Sequence, residues 1–155
     1  MSVVSDTSPL NYIVLIDLQH ILPELFERIL IPAAVREELQ SAGAPEPIAR
    51  FMGAAPAWLE TRHVSVSDPR LQHLDRGERE VITLAASLPA GSVLIDERKG
   101  RLVARERGLA VSGTLGVLDL AARRGLVNFS DALLRLESTT FRASPRLKAR
   151  IRQRS

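Results

Sequence analysis

Short apolar runs alternate along this chain with longer stretches in which apolar residues recur every three or four positions. The short runs "SVVS", "RILI", "SVLID" and "LAVS" suit buried strands, and "LETRHVSV" suits a strand or an extended edge. The longer pattern predicts helices over "LNYIVLIDL", "LPELFERI", "PAAVREELQSAG", "EPIARFMGA", "GEREVITLAASL", "RLVARERG" and "TLGVLDLAARRG". Two more helices are expected around residues 130–137 and 145–154. Pro32 falls in the first turn of its helix, and Gly43, Gly108 and Gly125 stand where helices close. This alternation predicts an α/β fold, a three-layer α/β/α domain around a mostly parallel sheet. Its body spans 1–137, and 138–155 forms a basic C-terminal helix or tail of the same domain.

Parallel sheets bind ligands outside the carboxyl ends of their strands, so the residues that close each strand come first. Asp6 closes "SVVS" and Asp96 closes "SVLID". Either carboxylate alone reads equally well as the N-cap of the helix that follows. The helices add two more acids, by angle, at about 100° per residue. In "VREEL" the stripe of Val35 and Leu39 is flanked by Glu38, whereas Glu37 faces water. In "GEREVITLAASL" Glu78 projects between Val81 and Ala85, Arg79 points away and Glu80 sits at the margin. A glutamate in an apolar sector is costly unless paired, protonated or bound to metal. The plainer alternative puts Glu78 in a first turn that welcomes negative charge, its side chain escaping to solvent.

The chain has 155 residues, 45% of them apolar, which argues against disorder. It contains no cysteine, which removes disulfides, thiolate zinc sites and a cysteine nucleophile. "YIVLI" is cut off by Asp17 and is too short for a membrane span, so a cytoplasmic protein without membrane association is expected. The net charge of +3 hides an asymmetry. From Ser138 onward there is no acid, but Arg142, Arg146, Lys148, Arg150, Arg152 and Arg154 are basic. The remaining residues carry fifteen basic against eighteen acidic side chains, so the body is mildly acidic.

Four converging acids would raise one another's pKa or recruit a cation. An all-oxygen set suits Mg²⁺ or Mn²⁺ rather than zinc, and such ions activate water for phosphodiester hydrolysis.

The strand ending in "DTSPL", the "IPAAVREEL" helix, the "DRGEREVITLA" helix and "VLIDERKGRLVARERGLAVSGTLGVL" resemble, in that order, the PIN-domain ribonucleases. The resemblance runs to about Asn128 and is closest to the VapC-like toxins of toxin–antitoxin pairs. It implies an acidic site of Asp6, Glu38, Glu78 and Asp96, as catalytic and metal-binding residues, with Glu97 as an additional acid. It places Ser8 as a small hydroxyl orienting the first Asp or a metal-bound water. It implies Mg²⁺- or Mn²⁺-dependent cleavage of single-stranded RNA, inhibition by a cognate antitoxin, and a homodimer. Many relatives carry Asp where this chain has Glu78, and Glu37 remains a rival to Glu38.

Arg98, Lys99, Arg101, Arg105 and Arg107 follow Asp96. Arg101, one turn into its helix, is the candidate for a place near the site, while Arg105 and Arg107 read as a solvated face pairing locally with Glu106. Thr114 also falls at the strand-end rim, where capping by it or by Ser112 explains the position. His20, His63 and His73 have no partner motif and read as structural or surface residues. The basic tail reads as a docked helix with a charged outer face, with RNA contact as the alternative. An aspartyl phosphatase would want a second Asp where Ser8 stands. A catalytically silent RNA- or partner-binding domain on the same fold is the other rival.

Overall fold

The computed structural model of the protein describes residues 1–89 and 91–141. Its strands are β1 (Ser2–Ser5), β2 (Arg28–Pro32), β3 (Leu59–Arg62), β4 (Ser92–Leu94) and β5 (Ala110–Ser112). They form one sheet in the order β3-β2-β1-β4-β5, with every neighbouring pair parallel. Val3 and Val4 of β1, Ile29, Leu30 and Ile31 of β2, and Val93 and Leu94 of β4 are all buried. Strands covered on both faces carry successive apolar residues, which is why they read as runs rather than as alternation.

The helices are α1 (Thr7–Leu15), α2 (Leu22–Leu25), α3 (Ala33–Leu39), α4 (Glu46–Gly53), α5 (Arg76–Ala86), α6 (Arg98–Glu106), α7 (Thr114–Arg123) and α8 (Phe129–Glu137). α5 lies against β1, β2 and β4 and packs on α3, while α1 packs against α3, α4 and α7. The result is the three-layer α/β/α architecture that the alternation predicts.

The sheet order fixes the position of the site. From β1 the chain moves outward to β2 and β3, then returns to the other side of β1 as β4 and β5. The crevice between β1 and β4 is therefore the topological switch point, where open α/β sheets bind ligands. The Asp6 N–H donates to Leu94 O at 2.9 Å, and the Ile95 N–H donates to Ser112 O at 2.8 Å. Asp6 and Asp96 leave the sheet side by side at that crevice.

Several element boundaries differ from expectation. α1 stops at Leu15 because Asp17 adopts φ 60°, a left-handed conformation that aspartate tolerates better than most residues. The helix expected over "LPELFERI" is only α2, since Phe26 turns extended to enter the core and lead into β2. Pro32 ends β2 and precedes α3 instead of lying in its first turn. α3 ends at Leu39 rather than Gly43; residues 40–43 are exposed, so continuing the helix would bury nothing. β4 ends at Leu94, two residues before Asp96. Gly108 and Gly125 do close helices, with φ of 78° and 74°, the left-handed geometry that glycine adopts without a Cβ clash. The helix expected over 145–154 lies outside the described residues. Just before it, Phe141 meets the Tyr12 ring edge-on at 5.1 Å. Among the described residues no helix is long and apolar enough to cross a membrane.

Candidate active site

Asp6 is both the cap of α1 and the centre of an acidic cluster. Its Oδ1 accepts the Thr7 N–H at 2.9 Å. Burial pushes its carboxyl up to about 7 against the pull of that N–H, and the charges of Asp75, Glu38 and Asp96 push the same way. Gly77 of α5 supplies the space around which three of these acids gather. A Cβ at Gly77 would stand 3.2 Å from Asp6 Oδ1, 3.5 Å from Asp75 Oδ1 and 3.8 Å from Glu38 Oε1.

Asp96 is held quite differently. Its Oδ1 accepts the Thr114 N–H at 2.7 Å, and its Oδ2 accepts the Thr114 hydroxyl at 2.6 Å and the Ser8 hydroxyl at 2.7 Å. Each hydroxyl differs from one of its expected roles, Ser8 in not bonding Asp6 and Thr114 in not capping its helix. Ser8, placed by α1 facing β4, reaches across the crevice to Asp96 instead of orienting Asp6. Thr114 caps nothing: it is the first residue of α7, behind Gly113, and Asp96 itself satisfies the free N–H there. Arg101 closes this side, donating to Ile95 O at 2.8 Å. A Cβ at Gly113 would come within 2.6 Å of Asp96 Oδ1 and 2.9 Å of Arg101 Nη1, so the two groups share one small space. Burial, then the like charge of Arg105, lowers the Arg101 pKa, against the pull of Asp96.

Glu78 does not escape to solvent. It is 4% exposed and forms a reciprocal capping box with Asp75: the Asp75 N–H donates to Glu78 Oε1 at 3.3 Å, and the Glu78 N–H to Asp75 Oδ1 at 2.8 Å. Its Oε2 is buried and receives no hydrogen bond. Burial first, then a proton shared with Glu97, then the charge of Asp75 push the Glu78 carboxyl up to about 8. Glu97, the N-cap of α6, accepts the Gly100 N–H at 3.1 Å. Burial works against the ionised form of Glu97, but the Gly100 N–H and the Glu78 proton bring its pKa below the usual value. Gly100 makes the room, since a Cβ there would collide with Glu78 Oε2.

The structure thus brings Asp6, Glu38 and Asp96 to one crevice and sets Glu78 and Glu97 behind it, linked through Asp75. Sequence reasoning missed Asp75, although D-R-G-E has the three-residue spacing of a capping box directly before a helix. Glu37 turns away and ion-pairs with Arg76. Glu80 is buried, not marginal: it accepts the Ala34 N–H at 3.1 Å and Arg76 Nε at 3.0 Å, fastening α5 to the start of α3. Arg107 pairs with Asp68 at 2.8 Å rather than with Glu106, because α6 runs beside the loop that carries Asp68. His20, His63 and His73 are all exposed.

The donor set suits a hard divalent cation. It is all oxygen and it is crowded with like charge. Among the described residues, no three His, Cys, Asp or Glu side chains stand close enough to ligate one ion together. Mg²⁺ commonly takes only one or two protein carboxylates and keeps several waters, so the spacing fits that mode of binding.

Among solved structures, the chain is similar to a PilT N-terminus domain protein, SSO1118, of the hyperthermophilic archaeon Sulfolobus solfataricus P2. The two share 17% identity with a TM-score of 0.57, over 78% of this chain and 93% of that one, a likeness of fold. No curated protein matches the chain. The family model DUF3368, described as a PIN domain, matches residues 2–155. That match spans nearly every residue, and with it the chain belongs to the PIN-domain family, a family of nuclease fold.

Proposed function

We propose that this protein is a divalent-metal-dependent endoribonuclease that cuts single-stranded RNA, and that it is the VapC-like toxin of a toxin–antitoxin pair. The observation that carries the reading is the uncompensated charge at the switch point. Asp6 is pushed up to about 7 by burial and by three neighbouring carboxylates, with no cationic side chain paired to it among the described residues. Such a cluster is costly unless a cation neutralises it. One or two carboxylates from among Asp6, Glu38, Asp75 and Asp96 would hold Mg²⁺ or Mn²⁺ with its waters, and Glu78 supports them from behind. When bound, the ion supplies an activated water and charge stabilisation for the phosphoryl oxygens of an in-line displacement.

The chain's own residues do the positioning. Ser8 and Thr114 fix the Asp96 carboxylate, and the Thr114 N–H holds it at the mouth of α7. Glu80 fastens the helix that carries Glu38 to the helix that carries Asp75 and Gly77. The acidic crevice is complementary to an Arg-bearing segment of an antitoxin, which would block the site by charge pairing.

Single-turnover cleavage of several RNAs with Mn²⁺ tests the reading. The wild type is expected to cut, and Asp6→Ala and Asp96→Ala are expected not to. No metal-dependent cleavage by the wild type would overturn the nuclease assignment; cleavage indifferent to both substitutions would overturn the site. Co-purification with a small DNA-binding protein encoded next door supports the toxin reading.

A further inference from the structure

A polar cavity of about 400 Å³ lies along α5. Its walls are the loop before α5, with Val66, Ser67, Pro69 and Gln72, and the helix itself, with Arg76 and Arg79. Two carboxylates also face it, and both are already balanced. Asp68 is held by Arg70 at 3.1 Å and Arg107 at 2.8 Å. Glu80 is held by Arg76 at 3.0 Å and by the Ala34 N–H. Arg76 is in turn shared with Glu37. Arg79 is half-buried and has no ion-pair or hydrogen-bond partner for its side chain among the described residues. The cavity therefore presents one unpaired guanidinium beside an apolar wall and two neutral polar groups. Such a guanidinium binds phosphate in a bidentate fashion.

We propose that this cavity is a nucleotide subsite for the RNA strand. It takes the nucleotide next to the scissile phosphate, with a phosphate on Arg79 and the base against Val66 and Pro69, where Ser67 and Gln72 meet its edge. The proposal rests on the RNA substrate proposed above and adds where the strand lies. The placement follows from α5: Arg76 lines the cavity and is adjacent in the chain to Gly77, around which Asp6, Asp75 and Glu38 gather. A strand laid over the acids that surround Gly77 passes Arg76 and enters the cavity. Single-stranded RNA is read in this way, by unstacked bases whose edges meet side chains. The walls are held before any ligand arrives, since Arg107 ties the loop to α6 through Asp68.

The test is fluorescence anisotropy of a labelled short single-stranded RNA with the full chain in EDTA, so that no cleavage intervenes. Arg79→Ala is expected to weaken binding about tenfold and to lower the salt slope by about one released counterion. Gln72→Ala, an exposed position on the cavity wall that is assigned to the base edge, is expected to weaken binding about threefold with the salt slope unchanged. Arg123→Ala, outside the cavity, is expected to bind as the wild type does. A nucleoside 5′-monophosphate is expected to compete where inorganic phosphate at the same concentration does not. Wild-type affinity in both Arg79→Ala and Gln72→Ala, or no RNA binding by the wild type, overturns the subsite. Equal competition by phosphate overturns its base-binding half. A chain that binds RNA through Arg79 yet cuts none with Mn²⁺ keeps the subsite and refutes the nuclease reading. Cleavage whose KM ignores Arg79→Ala does the reverse.

Discussion

Asp6 and Asp96 leave neighbouring parallel strands at the same crevice, yet the protein treats them in opposite ways. Asp96 accepts hydrogen bonds from Ser8, the Thr114 N–H and the Thr114 hydroxyl. Among the described residues Asp6 accepts only the Thr7 N–H, and it faces Asp75 and Glu38 across the space left by Gly77. A buried carboxylate with donors stabilises the fold, whereas one surrounded by like charge destabilises it. One acid is fixed before a ligand arrives. The other, crowded by like charge, keeps its proton up to about pH 7.

The largest expected effect treats the two alike: on the proposed reading, Asp6→Ala and Asp96→Ala each lower RNA cleavage roughly a thousandfold. Stability should separate them. Asp96→Ala leaves Thr114 without its acceptor and is expected to cost about 3 kcal/mol, lowering Tm by roughly 6–12 °C. Asp6→Asn removes a repelled charge and is expected to raise Tm near pH 8 in EDTA. If both variants move Tm in the same direction, the contrast fails.

The same contrast sets the pH dependence. The folded pKa values of Asp6, about 7, and Glu78, about 8, lie above their ordinary values of 3.8 and 4.5. Between those limits the folded chain binds more protons than the unfolded one. Stability is thus greatest below about pH 4 for these two groups and is lost as pH rises through about 7 and 8. Thermal melts of the metal-free protein are expected to fall from about pH 5 to pH 8, less steeply in Asp6→Asn. A flat profile would contradict the crowding at Asp6.

Smaller effects sharpen the Asp96 side. Thr114→Val keeps the N–H donor but loses the hydroxyl, and should lower cleavage about ten- to a hundredfold by letting the carboxylate turn. Gly77→Ala is the smallest. Its Cβ would press on Asp6 Oδ1 at 3.2 Å, and Mn²⁺ affinity is expected to fall by a factor of roughly ten or less in a titration.

The sheet and its switch point were legible because buried parallel strands write themselves as apolar runs, and "VVSD" and "VLID" end on the residues that matter. Helical angle separated Glu38 from Glu37, and the structure turns Glu37 to Arg76. What local pattern could not show depends on partners distant in sequence. Asp75 looks like an ordinary cap until Gly77 and β1 bring it beside Asp6. Thr114 looks like a cap until Asp96 arrives from another strand. Arg107 looks solvated until the loop carrying Asp68 folds over it.

On the proposed reading, the Asp6 side of the crevice is completed by a divalent cation. Calorimetric titration of Mn²⁺ into the metal-free protein at about pH 6.5 tests it most directly, because a metal held by Asp6 must displace the proton that its raised pKa retains. The account predicts binding with proton release in the wild type, and loss of both in Asp6→Asn. Absence of binding by the wild type, or equal binding and proton release in the variant, would contradict it.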